Sequence, residues 1–311
     1  MDRARPETYP NMPSLIGLGV AGNVAGHLEQ AGEAADFADI TVADADGPKG
    51  IFPFYIPKPA QSAAASGPGA ASHTLPTDHF LLADPMSPDT ILHPGDGYDL
   101  QIEPEVGLWC EIEYDGTRVA SLRPTHASAH NDCSIRRPPA PKISRKKNWG
   151  PGSKGVAATR IAIDRFAPGG ILDRYRVASF LERAGALHAY GVDSPLLGYS
   201  YFHTRLLDWL VAQMNDQKDE GPLESISTWL EAAGHPRQAL ISIGATRYTD
   251  YGEATFLAPG DRAVVVLYDA QQQAPEVVHE RLERALEAGV EPDLPGASVL
   301  VQAVRLAELA G

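Results

Sequence analysis

The 311-residue sequence predicts a β-rich α+β fold with helices at its C-terminal end. Three observations predict it. Residues 99–122 read as strand, Asp115-Gly116 turn, strand, the signal of a hairpin. FLAPGDRAVVVLYD, 256–269, is a turn feeding a β-branched strand. After Pro275 the periodicity changes: EVVHERLERALEAGV puts Val278, Leu282 and Leu286 on one helical face, and a second helical stretch is expected beyond Pro295. One earlier helix is predicted over 201–214, where Phe202, Leu206, Trp209 and Leu210 share a face before the polar NDQKDEG breaks the pattern. Strands outnumber helices before residue 275, and no internal repeat is visible.

Length and composition bound the function. Apolar residues make up 43% of the chain and charged residues 21%, a globular balance able to bury a substantial core. The pattern is read as a single domain over 13–275, with a helical appendage at 276–311. Residues 57–78, PKPAQSAAASGPGAASHTLPTD, lack apolar periodicity and read as a flexible flap within that domain. A net charge of -14 argues against nucleic-acid or anionic-membrane binding by the surface as a whole. Two cysteines, Cys110 and Cys133, are too few for a disulfide scaffold and are not in a zinc spacing. No apolar run reaches a membrane-spanning or signal-sequence length, so a cytoplasmic protein is expected.

QIEPEVGLWCEIEYDG, 101–116, raises the chemical question. It holds Glu103/Glu105 and Glu111/Glu113, and in a strand residues two apart face the same way. Two carboxylates side by side repel unless water separates them, one is protonated, or a cation lies between them. A second feature follows the hairpin. From Cys133 to Ile163 there are eight basic residues and no acidic one, which reads either as a solvated loop or as an anion-attracting wall.

These motifs together resemble the fumarylacetoacetate hydrolase superfamily. The similarity rests on the order of LIGLGVAGNVAGHLEQAGE (15–33), IFPFYIPKP (51–59), IEPEVGLW (102–109), HNDCSIR (130–136), GPGSKG (150–155) and FLAPGDRAVVV (256–266), and spans roughly 15–269. It implies mixed β-sheets rolled around a metal site. It also implies metal carboxylates at Glu103, Glu105 and Asp132, an active-site lysine at Lys154, and a lid histidine at His27. Three carboxylates with water suit a hard ion, Mg2+ or Mn2+, better than zinc. A metal also removes the repulsion within Glu103/Glu105, leaving Glu111/Glu113 as the solvated face of the continuing strand. Pro104 belongs at a strand start, where it need not donate to a ladder.

The resemblance implies cleavage of a carbon–carbon bond in a small anionic oxo-acid or 1,3-dicarbonyl, by hydrolysis or decarboxylation. His27, supported by Glu29 or Glu33, would activate water; Arg136 and Thr246 would bind substrate; a homodimer is expected. The sequence departs from the superfamily pattern at Gln30, where many relatives carry the acidic partner of the histidine, and at Gly244-Ala245-Thr246. The alternative is a non-catalytic binding or regulatory protein that uses the basic segment 136–160 on an anionic partner such as RNA. GLGVAGN at 17–23 is only a weak dinucleotide signal. His203 reads as a packing histidine, His130 as a group behind the metal ligands, and Cys133 as structural.

Overall fold

The computed structural model describes residues 15–38, 40, 44, 47–58, 78–136 and 140–307. The flap predicted at 57–78 therefore lies, apart from its ends, outside the described residues. In chain order the elements begin with β1 (Ile16–Ala21), α1 (His27–Gln30), β2 (Gly50–Tyr55), β3 (Thr90–His93) and β4 (Asp99–Gln101). The hairpin strands β5 (Pro104–Asp115) and β6 (Arg118–Asn131) come next, then β7 (Ser134–Arg136), α2 (Ser144–Lys147), β8 (Gly155–Val156) and β9 (Ile161–Ala162). β10 (Tyr175–Arg183) and β11 (Ala186–Pro195) precede α3 (His203–Asp216), α4 (Ile226–Ala232), β12 (Gln238–Ser242) and α5 (Asp250–Ala254). The described chain closes with β13 (Arg262–Asp269), α6 (Pro275–Ala288) and β14 (Ser298–Leu306).

The fold is α+β and strand-rich, as expected. One sheet runs β2-β1-β12-β5-β6-β8, with β9 also on β6; a second runs β11-β10-β13-β14-β3; β4 and β7 pair separately. Most neighbours are antiparallel, but β1–β12 and β14–β3 are parallel. The two large sheets meet where the β5–β6 hairpin packs on β10, β13 and β14, and Val106, Leu108, Ala127, Val265 and Leu300 are buried in the common core. None of the described helices is long and apolar enough to cross a membrane.

The stretch after Pro295 corrects the sequence reading: it is not helical but forms β14, between β13 and β3. Its buried positions Ser298, Leu300, Gln302 and Val304 alternate, yet two of the four are polar, so the inward face does not look apolar. Helix α6 falls where the periodicity placed it, with Val278, Leu282 and Leu286 buried.

Two glycines shape the floor beneath the polar centre. A Cβ on Gly17 would stand 2.2 Å from the Phe54 ring, and one on Gly19 would stand 2.3 Å from the Phe52 ring. Both lie inside β1, so their role is close packing of β1 against aromatic side chains of β2, not the nucleotide turn that GLGVAGN superficially suggests.

Candidate metal centre

The hairpin brings its carboxylates together at one end. Pro104 opens β5 and pairs with Asn131, the last residue of β6, so Glu103, Glu105 and Asp132 flank one rung. The backbone N–H of Asp132 donates to the Glu103 carbonyl at 3.0 Å, and that of Glu103 donates to Asn131 Oδ1 at 3.2 Å. Asn131 in turn donates to Gln302 Oε1 at 3.0 Å, which makes β14 part of the site's scaffold. The result is three buried carboxylates whose nearest oxygens lie within 4.8 Å of one another. Glu111 and Glu113 are exposed instead, bound to Arg123 and Ser121, the solvated face that was expected.

Cations from the basic segment fold inward onto this cluster. Lys147 Nζ binds Glu103 and lies 2.6 Å from Asp132 Oδ2, while Lys154 binds the other Asp132 oxygen. Arg136 reaches Glu103 Oε1 and Glu33 Oε1, each at 2.9 Å, and Lys146 lies 2.6 Å from Asp36. The four are buried or nearly so. A surface reading of the segment 136–160, as an RNA-binding patch or steering wall, is thereby corrected for these residues: unpaired anions inside the protein draw them in. Phe52 and Phe54 support Lys147 and Lys154, their ring centres 5.3 and 5.4 Å from the ammonium groups.

The balance is unequal across the three carboxylates. Burial alone would raise Glu103 and Asp132, but Lys147 pulls both down, joined by Arg136 at Glu103 and by Lys154 at Asp132; Glu103 falls to about 2. Glu105 forms no ion pair among the described residues. Its Oε2 accepts from the Gly244 N–H at 2.7 Å, and burial, with Asp132 and Glu103 nearby, raises its pKa well above the ordinary carboxylate value against the opposing pull of Lys147. An all-oxygen donor set in which one carboxylate forms no ion pair among the described residues fits a hard divalent ion.

The remaining residues singled out in the sequence are placed unequally. His27 is 4% exposed, its Nδ1 has no hydrogen-bond partner among the described residues, and burial lowers its pKa so that the imidazole is neutral. Glu29 is exposed, and Glu33, though buried, is committed to Arg136 and Lys146; no hydrogen bond joins either to His27 among the described residues. Thr246 is 1% exposed and its hydroxyl has no hydrogen-bond partner among the described residues. His130 lies behind Asp132, its Nε2 3.9 Å from Oδ1, and burial lowers its pKa. His203 stands away from the centre, paired with Asp173 at 2.6 Å. Cys133 is fully buried and burial raises its pKa to about 12, so the thiol keeps its proton.

Sequence reasoning missed two members of the site. Lys147 was legible only as part of a basic run, because inward or outward orientation depends on α2 as a whole. Tyr248 carries no motif, yet Arg136 Nη2 donates to its hydroxyl at 2.6 Å and its ring lies 5.3 Å from that of His27.

Among solved structures, the fold is similar to Cg1458 with an inhibitor: 13% identity, TM-score 0.49, covering 95% of this chain and 78% of that one. It is also similar to 2-keto-3-deoxy-D-arabinonate dehydratase complexed with magnesium and 2,5-dioxopentanoate: 12% identity, TM-score 0.48, with 95% and 73% covered. A third is 5-carboxymethyl-2-hydroxymuconate delta-isomerase from Mycobacterium smegmatis, at 13% identity and TM-score 0.45, with 94% and 80% covered. No curated protein sequence matches the chain. Residues 33–304, which include every carboxylate and cation of the centre, match the family of unknown function DUF5718, and the chain belongs to that family.

Proposed function

We propose that this chain is an enzyme that holds one Mg2+ or Mn2+ ion on Glu103, Glu105 and Asp132 and cleaves a carbon–carbon bond in a small oxo-acid or 1,3-dicarbonyl. The observation that carries the proposal is Glu105, a buried carboxylate beside two others with no cation of its own. Burying such a group is costly unless a ligand repays it. Support also comes from convergence: His27, Glu103, Asp132, Arg136 and Lys154, separate in sequence, influence one another's charge at this one place.

A bound divalent ion would supply Lewis acidity toward an oxygen that gains negative charge. The chain's own residues do the rest. Lys154, fully buried and lowered in pKa by that burial despite Asp132, offers an ammonium to the same developing charge. Arg136 and the unpartnered Thr246 hydroxyl bind the anionic substrate. His27, neutral and with Nδ1 open, accepts a proton from water where the reaction is a hydrolysis. Decarboxylation of a 3-oxo acid needs only the charge-stabilising groups. It makes the lighter demand on a histidine that no carboxylate orients.

The test is turnover of oxaloacetate and of acylpyruvates by the Mg2+- or Mn2+-loaded protein. Lys154→Ala lowers both activities, whereas His27→Ala lowers hydrolysis by roughly 10²–10⁴-fold and decarboxylation by less. No turnover of any oxo-acid by a metal-loaded wild type defeats the proposal.

A further inference from the structure

The geometry points to Tyr248 as a hydrogen-bond donor that contacts the substrate in the carboxylate centre, with Gln30 as the residue that positions it. The inference rests on the proposed function, since it assigns an oxygen of an oxo-acid as the acceptor.

Tyr248 is 2% exposed and lies in the ring of groups around the triad. Arg136 ties it there: one guanidinium nitrogen donates to the phenolic oxygen at 2.6 Å, while the other lies 2.9 Å from Glu103. A phenol both accepts and donates. Arg136 has used the acceptor side, and no described residue accepts the phenolic hydrogen. Burial, foremost, with Glu103 and Glu33 adding to it and Arg136 opposing, raises the phenol's pKa well above its ordinary value, so the hydrogen stays in place. A buried donor without an acceptor is a cost that a ligand oxygen removes, and neither an alkyl group nor an ammonium does so.

Gln30 explains how the phenol is held. Its Oε1 accepts from the Tyr248 N–H at 2.9 Å, and its Nε2 donates to the Tyr248 carbonyl at 3.3 Å and to Glu253 at 2.9 Å. The amide offers both a donor and an acceptor, and so clasps one residue's backbone at both its N–H and its carbonyl; a carboxylate here would accept but not donate. Position 30 is where the resemblance leads one to expect an acid serving His27. The amide instead fixes a loop that brings Tyr248 beside the His27 ring, tilted by 54°.

Oxalate, a small dianion rich in acceptor oxygens, is the probe. Mn2+ binding, followed by electron paramagnetic resonance, and oxalate binding to the Mn2+-loaded protein, followed by calorimetry, are measured on wild type, Tyr248→Phe, Gln30→Ala and the double variant. Tyr248→Phe keeps the ring and is expected to hold Mn2+ within about twofold of wild type while binding oxalate roughly 10- to 100-fold more weakly, the range for a lost hydrogen bond to a charged group. Gln30→Ala weakens oxalate when Tyr248 is present and adds nothing in the Tyr248→Phe background, a non-additivity that a merely structural role does not produce. Mn2+ binding with oxalate affinity unchanged by Tyr248→Phe overturns the Tyr248 inference and leaves the metal reading standing. A wild type that binds no Mn2+ overturns the metal reading and the inference with it, and additive losses overturn the role of Gln30.

Discussion

The Lys147 ammonium lies 2.6 Å from Asp132 Oδ2 and binds Glu103 as well, so one side chain neutralises two of the three proposed metal ligands. The cause is electrostatic. Burial disfavours the ammonium, yet Asp132 and Glu103 together raise its pKa above the ordinary lysine value. A tethered cation and a bound ion then compete for the same carboxylates.

Lys147→Met tests that competition. Without metal the variant leaves two buried carboxylates short of a partner and is expected to lose about 3–5 kcal/mol. With the competing charge gone, Mn2+ binding should tighten by on the order of tenfold, and added Mn2+ should restore much of the lost stability. Thermal unfolding with and without Mn2+, together with a direct titration, measures both effects. Weakened Mn2+ binding in this variant would mean that Lys147 supports the ion instead of opposing it.

The three carboxylates should respond alike to metal and differently to its absence. Glu103→Gln, Glu105→Gln and Asp132→Asn are each expected to weaken Mn2+ by roughly two orders of magnitude, as one of three charges facing a divalent ion is removed. Glu111→Gln and Glu113→Gln, on the exposed face, should leave it unchanged. Glu105→Gln should also make the metal-free protein more stable, because Glu105 alone of the three forms no ion pair among the described residues, whereas Glu103→Gln and Asp132→Asn should destabilise it. Equal metal-free stabilities for the three variants would contradict the charge balance described above.

How much of this was legible follows from what each signal depends on. The hairpin and helices α3 and α6 follow from periodicity and a turn dipeptide, which are local, whereas the split between Glu103/Glu105 and Glu111/Glu113 rested on the resemblance, since periodicity treats the two pairs alike. β14 was misread because Gln302 and Ser298 face inward, and polar residues in core positions erase the alternation that marks a strand. The inward course of Lys146 and Lys147 was not legible, since it answers to carboxylates contributed by other segments, and Lys154 was placed at the site only by the resemblance. Gln30 was visible as a departure from the superfamily pattern, but its partner Tyr248 lies 218 positions away, and no spacing rule connects them.

Gly17 and Gly19 carry a steric prediction. A methyl group at either overlaps a phenylalanine ring that supports a buried lysine, so Gly17→Ala and Gly19→Ala should each cost about 1–3 kcal/mol, the range for overpacking. Gly198→Ala is the control. Its Cβ would meet nothing nearer than 3.8 Å and its φ is ordinary, so it should change stability little. Denaturant unfolding of the three variants decides the matter, and equal losses at all three would argue against the Phe52/Phe54 floor.

Glu224 gives the protein a pH dependence that can be isolated from the metal centre. It is 5% exposed, its Oε2 has no hydrogen-bond partner among the described residues, and burial raises its pKa to about 7, opposed by Ser144 and Lys142. The unfolded chain titrates near the ordinary value of 4.5. Between about pH 4.5 and 7 the folded protein therefore holds a proton that the unfolded chain has released, and stability falls as pH rises through that window. The whole loss is at most about 3 kcal/mol. Glu103 acts in the opposite sense and elsewhere: its contribution is complete above pH 4.5 and is lost only as pH falls toward its folded value of about 2. Glu224→Gln removes the titration without adding bulk. It should match wild type at pH 4.5, exceed it by up to about 3 kcal/mol at pH 8, and show the difference appearing between those values in urea unfolding. Parallel pH profiles for the two proteins would show that Glu224 titrates alike in the folded and unfolded chain.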